Sequence, residues 1–359
     1  MAASIKRIGI LTGGGDCPGL NAAIRAVVKA GIGIHRLEIY GIETGFEGLI
    51  KKQARPLTLE DVRGIVNKGG TILGATRRHN PFQSQEKIGE ETRTVDRSRT
   101  VLQHSSELRL DALVVLGGDG TLTIAERLWQ MGLPLVAIPK TIDNDLPGTD
   151  VSIGFNTAVI TAMEALDKLH TTAESHHRVM IVELMGNKAG WIGLESGIAG
   201  GADVILIPEV PFNIEKACEK IIERKQRGQP FSMVVVSEGA RAIGHEEVYV
   251  DPRSRRLGGI SHNVAEEIER RTGLESRVLV LGHLQRGGSP ISFDRVLASR
   301  FGVHALGLIL QRDFGKMVAF RKAEVISIPI REATAGLNLV DPNGDLALTA
   351  EALGISLGR

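Results

Sequence analysis

Short runs rich in branched apolar residues recur along the chain, separated by longer stretches in which apolar positions return every third or fourth residue. IKRIGILT, DALVVLGG, LPLVAIP, RVMIVELM, DVILIPE, FSMVVVSEG and RVLVLGHL read as strands. LNAAIRAVVKAG and FNTAVITAMEALDKLH read as helices, the second with Val159, Met163, Leu166 and Leu169 on one apolar stripe. Alternating strand and helix predicts parallel sheets covered on both faces. In such sheets ligands sit beyond the carboxyl ends of the strands, so chemistry is to be sought where each strand stops. Two segments break the rhythm. Residues 79 to 104 are polar and charged with little apolar periodicity, and residues 241 to 260, with DPRSRRLGG, read as a loop or small hairpin. No internal repeat, low-complexity tract or linker is visible. A chain of 359 residues is long for one core, so two closely packed, interleaved domains are expected.

Composition narrows the picture only a little. A net charge of +1 argues against nonspecific nucleic-acid binding but leaves room for a local basic pocket. The two cysteines, Cys17 and Cys218, have no metal-ligand or redox spacing and suit a reducing compartment. MAASIKRIGILT enters a strand almost at once, without an apolar core of signal-peptide length, and no long apolar span follows. A cytoplasmic protein that meets neither membrane nor nucleic acid is expected.

The strand ends carry the chemistry. The first runs into TGGGDCPGLN, where Gly13 to Gly15 let backbone N–H groups approach a ligand and the following helix start favours anions. Taken alone, it reads equally well as a tight turn capped by Asp16. It matches neither the dinucleotide fingerprint nor the P-loop. The next ends in LGGDGTL, which sets Asp119 among Gly118, Gly120 and Thr121. A carboxylate in a phosphate cradle repels its ligand unless a cation such as Mg²⁺ stands between them. The bland reading is a turn aspartate holding its own backbone. A third strand ends in PKTIDND, with Lys140, Thr141, Asp143 and Asp145. Phosphoryl transfer needs one carboxylate to take a proton and others to hold metal or water. Three further strand ends carry Met185 and Gly186, then Glu238, then His283 and Arg286. Glu and His suit sugar hydroxyls, and Arg suits a phosphate. Arg178 and Arg277, taken singly, read as surface residues.

GGGDCPGLNAAIR, LGGDGTL, PKTIDND, GFNTA, SHHR, MGNKAGWI and GHLQRGGSP stand in the order found in 6-phosphofructokinases, and the chain resembles that family over roughly residues 5 to 310. The resemblance implies an α/β protein of two Rossmann-like three-layer domains with mainly parallel sheets. Residues 1–154 plus 286–335 would bind ATP, and residues 155–285 plus 336–359 would bind fructose 6-phosphate. Carried over by position, Gly15, Arg77, Arg78, Gly118, Gly120 and Thr121 would contact the donor, and Asp119 would hold Mg²⁺. Asp143 would be the base, assisted by Asp145 and Thr141. Met185, Gly186, Glu238, His283 and Arg286 would hold the sugar phosphate. Arg178 and Arg277 would reach the 6-phosphate of a neighbouring subunit in a homotetramer with shared sites.

The chain departs from the family pattern in places. Phe46 stands where relatives often have tyrosine near the donor, and Asn187 where they usually have arginine. Arg25 matches one arginine of the bacterial regulatory nucleotide site, but Lys29, His170 and the Gln229-Pro230 pair replace other positions, which weakens any expectation of regulation there. The donor signature is mixed, since in this family Gly120 belongs with ATP and Lys140 with pyrophosphate. An aspartate at 120 would obstruct ATP by bulk and like charge, whereas a flexible lysine at 140 can fold aside or neutralise phosphate charge, so ATP is expected. Pyrophosphate as donor, or a noncatalytic sugar-phosphate sensor, are the rival readings.

Overall fold

The computed structural model describes residues 4–76, 80–89, 91–251 and 256–359. The described chain divides into two compact units. The first comprises Met1–Thr141, Leu146–Gly154 and Arg286–Leu337; the second comprises Ile142–Asp145, Phe155–Gln285 and Asn338–Arg359.

The first unit is built on an eight-stranded sheet. Its order is Glu324–Pro329, Lys316–Arg321, Leu135–Thr141, Ala112–Gly117, Arg7–Thr12, Glu38–Ile42 and Ala54–Leu57, with the short strand Ile153–Gly154 paired to the end of Leu135–Thr141. The interior pairings are parallel; the two outermost are antiparallel. Ala112–Gly117 and Leu135–Thr141 are buried along their whole length, as strands covered on both faces must be. Leu113, Val115, Leu135, Ala137, Leu122 and Met317 are among the residues that form the core on one face.

From strand Arg7–Thr12 the chain passes to one side, to Glu38–Ile42, and later returns to pair Ala112–Gly117 on the other side. The carboxyl ends of Arg7–Thr12 and Ala112–Gly117 therefore flank a topological switch point, the place where such sheets bind ligands.

The second unit has four parallel strands in the order Val204–Leu206, Ser232–Ser237, Val179–Leu184, Ser276–Val280. Val179, Ile181, Val234 and Val236 pack with Ile260, Val264 and Ile268 of helix Ile260–Thr272. The seven expected strands all form, and the two expected helices run over Leu20–Gly33 and Phe155–His176. The stripe on the second is turned slightly: Val159 and Leu166 are buried, but Ala158 and Ala162 complete the buried face, while Met163 and Leu169 are half-exposed.

The segment at 79–104 contains an antiparallel hairpin, Ser84–Ile88 with Glu91–Val95, which apolar periodicity did not announce because its second strand is almost wholly exposed. Around DPRSRRLGG, Tyr249–Asp251 pairs antiparallel with Arg256–Leu257. Among the described residues no helix is long and apolar enough to cross a membrane.

Candidate active site

In the first unit the two glycine turns are joined side by side. The N–H of Gly13 donates to Leu116 O at 2.8 Å, and that of Gly14 to Thr76 O at 3.2 Å. Thr121 is buried between the turns: a Cβ on Gly13 would lie 2.6 Å from its methyl carbon, and one on Gly117 2.2 Å. Those glycines thus have a packing reason. Gly120 does not. It is exposed, has no left-handed backbone, and a Cβ there would meet nothing within 4 Å. Glycine in a helix costs about 0.5–1 kcal/mol relative to alanine, so the fold by itself does not ask for it in the first turn of helix Asp119–Gln130.

Asp119 opens that helix beside Gly118. Desolvation pushes its carboxyl above the ordinary aspartate range. Among the described residues no group of three or more His, Cys, Asp or Glu side chains could hold a metal. A lone carboxylate at a helix start fits Mg²⁺, which keeps several of its positions for water and for phosphate oxygens of a substrate.

Lys140 is buried, and its ammonium donates to Gly15 O. That contact ties strand Leu135–Thr141 to the first glycine turn. Arg286, also buried, belongs to this unit, and its Nη1 donates to Asp16 O at 3.4 Å. Cys17 is buried, gives its Sγ–H to Ile153 O at 3.2 Å, and is pushed up to about 12 by burial, which makes it an inert thiol. Phe46 is a member of the hydrophobic core. Arg77 and Arg78 lie outside the described residues.

The stretch Lys140–Asp145 is buried throughout although five of its six side chains are polar or charged. Thr141 ends its strand and its carbonyl accepts from Ser152 Oγ at 2.7 Å. The next four residues group with the second unit, whereas the sequence placed them with the first. The reason lies in the hydrogen bonds. Asn338 donates from its backbone N–H to Asp145 O at 2.8 Å and from Nδ2 to Asn144 O at 3.0 Å. Asn144 is held at φ 52, in the left-handed region that asparagine tolerates better than most residues.

The same unit brings Glu238 to this turn. Glu238 follows strand Ser232–Ser237 and accepts from the N–H of Asn187 at 3.1 Å. Its carboxyl is pushed up to about 7, first by burial and further by the nearby charge of Asp143. Gly186 adopts φ 150, and a Cβ there would sit 2.5 Å from Ala189 O, so the turn after Met185 needs glycine. Asn187 is exposed at φ 55. His283 is exposed in the 3-10 turn Gly282–Arg286, which follows strand Ser276–Val280.

Arg178 and Arg277 are placed elsewhere in the unit. Both contact Glu275: Arg178 Nε donates to it at 2.7 Å, and Arg277 is also paired with it. The pair holds the Glu275 carboxyl below its usual range, Arg178 contributing most. Ser276 and Arg277 stand in register with Val179 and Met180, at the amino end of parallel strands whose carboxyl ends lead to Met185 and His283. Strand Val179–Leu184 has six residues, so the two ends are about 20 Å apart at roughly 3.3 Å per residue.

Sequence reasoning missed Asn338, which lies in the irregular segment LNLVDPNG with no periodicity to mark it. It also missed Glu183, a buried carboxylate that accepts from Gly259 N, Ser261 N and Ser261 Oγ at 2.5–3.1 Å and so caps helix Ile260–Thr272.

The sequence profile of the family described as Phosphofructokinase matches residues 7–309. An "ATP-dependent 6-phosphofructokinase" of Chloroflexus aurantiacus is 49% identical over 360 residues, covering 100% of this chain and 99% of the relative. A "Pyrophosphate--fructose 6-phosphate 1-phosphotransferase" of Amycolatopsis methanolica is 48% identical over 341 residues, covering 94% and 96%. Among solved structures, a pyrophosphate-dependent phosphofructokinase from Marinobacter aquaeolei superposes with a TM-score of 0.81 over 98% of this chain and 88% of that one; at 21% identity it shows the shared fold alone.

Proposed function

The chain belongs to the phosphofructokinase family, and from that premise we infer that it is a kinase of glycolysis that transfers the terminal phosphoryl group of ATP to the 1-hydroxyl of fructose 6-phosphate. The observation that carries ATP as donor is Gly120. Its relatives include proteins named for either donor at nearly equal identity, so overall likeness does not choose between them. A glycine that the fold does not require, at an exposed helix start with open space beyond its Cα, is explained by a bulky polyphosphate passing there.

The roles follow from the two groups of residues. In the first unit, the turns at Gly13–Gly15 and Gly118–Thr121 receive the donor phosphates with backbone N–H groups and a helix start. Asp119 would hold Mg²⁺, which when bound screens the phosphate charge. Arg77 and Arg78 belong to this donor set by position in the sequence. In the second unit, Asp143 takes the proton from the sugar 1-hydroxyl, with Asp145 beside it on the same turn. The freed oxygen bonds to the terminal phosphorus while the bond from that phosphorus to the bridging oxygen breaks, releasing ADP. Thr141 steadies the transferred group by a hydrogen bond. Met185, Gly186, Glu238 and His283 orient the sugar. Arg286, which belongs to the first unit, is the residue that by its position in the sequence meets the sugar phosphate; a guanidinium has five donors, so the bond to Asp16 O does not exhaust it.

Arg178 and Arg277 lie farther from Met185 and His283 than one hexose phosphate spans. As the family resemblance implies, they serve the 6-phosphate of a neighbouring subunit, in a homotetramer with shared sites. A second reading, pyrophosphate as donor, is favoured by one observation: the buried Lys140 ammonium at the Gly15 carbonyl sets a fixed cation beside the donor turn. Following the reaction by ³¹P NMR tests the assignment. It should show a new phosphomonoester on carbon 1 of fructose 6-phosphate matched by ADP; consumption of ATP without that ester would reject it.

A further inference from the structure

We propose that Asn338 is a positioning residue that fixes the backbone of the Asp143–Asp145 turn and thereby aims the proposed base. Three groups of Asn338 are engaged. Its backbone N–H donates to Asp145 O at 2.8 Å, its Nδ2 donates to Asn144 O at 3.0 Å, and its own carbonyl accepts from Trp191 Nε1 at 2.8 Å. The segment is pinned again two residues later, where Val340 N–H donates to Glu209 Oε1 at 2.9 Å. The same carboxylate accepts from Gly190 N–H at 2.8 and 3.1 Å, at the start of helix Trp191–Ala199. A stretch with no regular structure of its own is thus riveted to a rigid helix on one side and holds the turn on the other.

The turn needs such a hold. Asn144 lies in the left-handed region, and a non-glycine residue stays there only where its surroundings over-determine it. Fixing the carbonyls of residues 144 and 145 sets the two peptide planes that flank Asp145, and through Asn144, itself held at φ 52, it constrains the turn back to Asp143. Proton transfer demands hydrogen-bond geometry, and a misplacement of about 1 Å from a change outside the chemistry can cost ~10²-fold. Asn338 touches neither donor nor sugar in this scheme; it acts through the turn.

The inference rests on Asp143 as the base, so its test has one arm that needs no activity. Asn338→Asp keeps the shape but replaces the Nδ2 donor with an oxygen that faces the Asn144 carbonyl; Asn338→Ala removes the group without adding charge. Both should lower kcat by ~10- to 100-fold while the KM values for fructose 6-phosphate and ATP stay within about twofold. In both, amide exchange of a peptide covering residues 142–146 should speed up about tenfold, as loss of one buried hydrogen bond allows, with exchange of strand Val179–Leu184 unchanged. Trp191→Phe, which removes the donor to the Asn338 carbonyl, should move both readouts the same way to a smaller degree. Native-like exchange of 142–146 in both Asn338 variants would overturn the proposal, and so would faster exchange with undiminished kcat. If the native protein proved to have no kinase turnover, the functional reading would fall, and the exchange arm would still decide whether Asn338 holds the turn.

Discussion

At the scale of single residues, the buried stretch from Lys140 to Asp145 concentrates groups that a fold ordinarily keeps in water. Asp143 is the one on which the proposed chemistry turns. Asp143→Ser removes the proposed proton acceptor and leaves the backbone able to turn, so sugar binding should persist while turnover falls by ~10²–10⁴-fold; near-native turnover would place the base elsewhere. Glu238 offers a separate handle. Its folded-state value, raised to about 7 from an ordinary 4.5, means that the folded protein holds a proton there which the unfolded chain has lost across that window. Its contribution to stability therefore falls as pH rises from about 4.5 to 7. Glu238→Gln, which cannot ionise, should melt a few degrees higher than the native protein at pH 8, and the gap should close toward pH 4.5. If Glu238 accepts from a sugar hydroxyl, KM for fructose 6-phosphate should also rise below pH 7 in the native protein and more weakly in the variant. Melting curves that run parallel at every pH would contradict the raised value.

At the scale of elements, most of the strands that were legible are buried, since a strand covered on both faces is a continuous apolar run; Ser276–Val280 was legible by its branched apolar residues although it is largely half-exposed. The hairpin Ser84–Ile88 with Glu91–Val95 was not legible, because its second strand alternates nothing apolar. Six strand ends, and the residues that follow them, could be singled out because ligands of parallel sheets gather at one edge. Asn338 could not, because its role depends on a chain segment that returns from far along the sequence with no local pattern. Nor could the tether of Lys140 to the Gly15 carbonyl, which belongs to the packing of strand Leu135–Thr141 rather than to any motif. Helix Asp119–Gln130 is the element on which donor choice is argued. Gly120→Asp would add a carboxylate to its open first turn, and a like charge set against phosphate costs several kcal/mol. ATP-dependent kcat/KM should fall by ~10²-fold or more. Lys140→Gly should cost ATP use much less, while lowering thermal stability, because the half-buried Gly15 carbonyl loses its donor. An equal loss of ATP use in both variants would show that the two positions act together.

At the scale of the whole molecule, the amino end of strands Val179–Leu184 and Ser276–Val280 presents Arg178 and Arg277 around one glutamate, about 20 Å along the sheet from the residues at the carboxyl end. If these arginines serve a neighbouring subunit, Arg178→Ala or Arg277→Ala should raise KM for fructose 6-phosphate strongly. Mixing either variant with one altered at His283 should restore activity in hybrid sites, and mixed assemblies without restored activity would refute the sharing. The donor is what most sets the proposed activity apart from that of the pyrophosphate-named relative. The most direct test of ATP as donor is the steady-state turnover of the native protein on fructose 6-phosphate with Mg²⁺, supplied in turn with ATP and with pyrophosphate. Turnover with ATP and little or none with pyrophosphate is the expected result; turnover with pyrophosphate and none with ATP would overturn the assignment and give Lys140 the deciding role over Gly120.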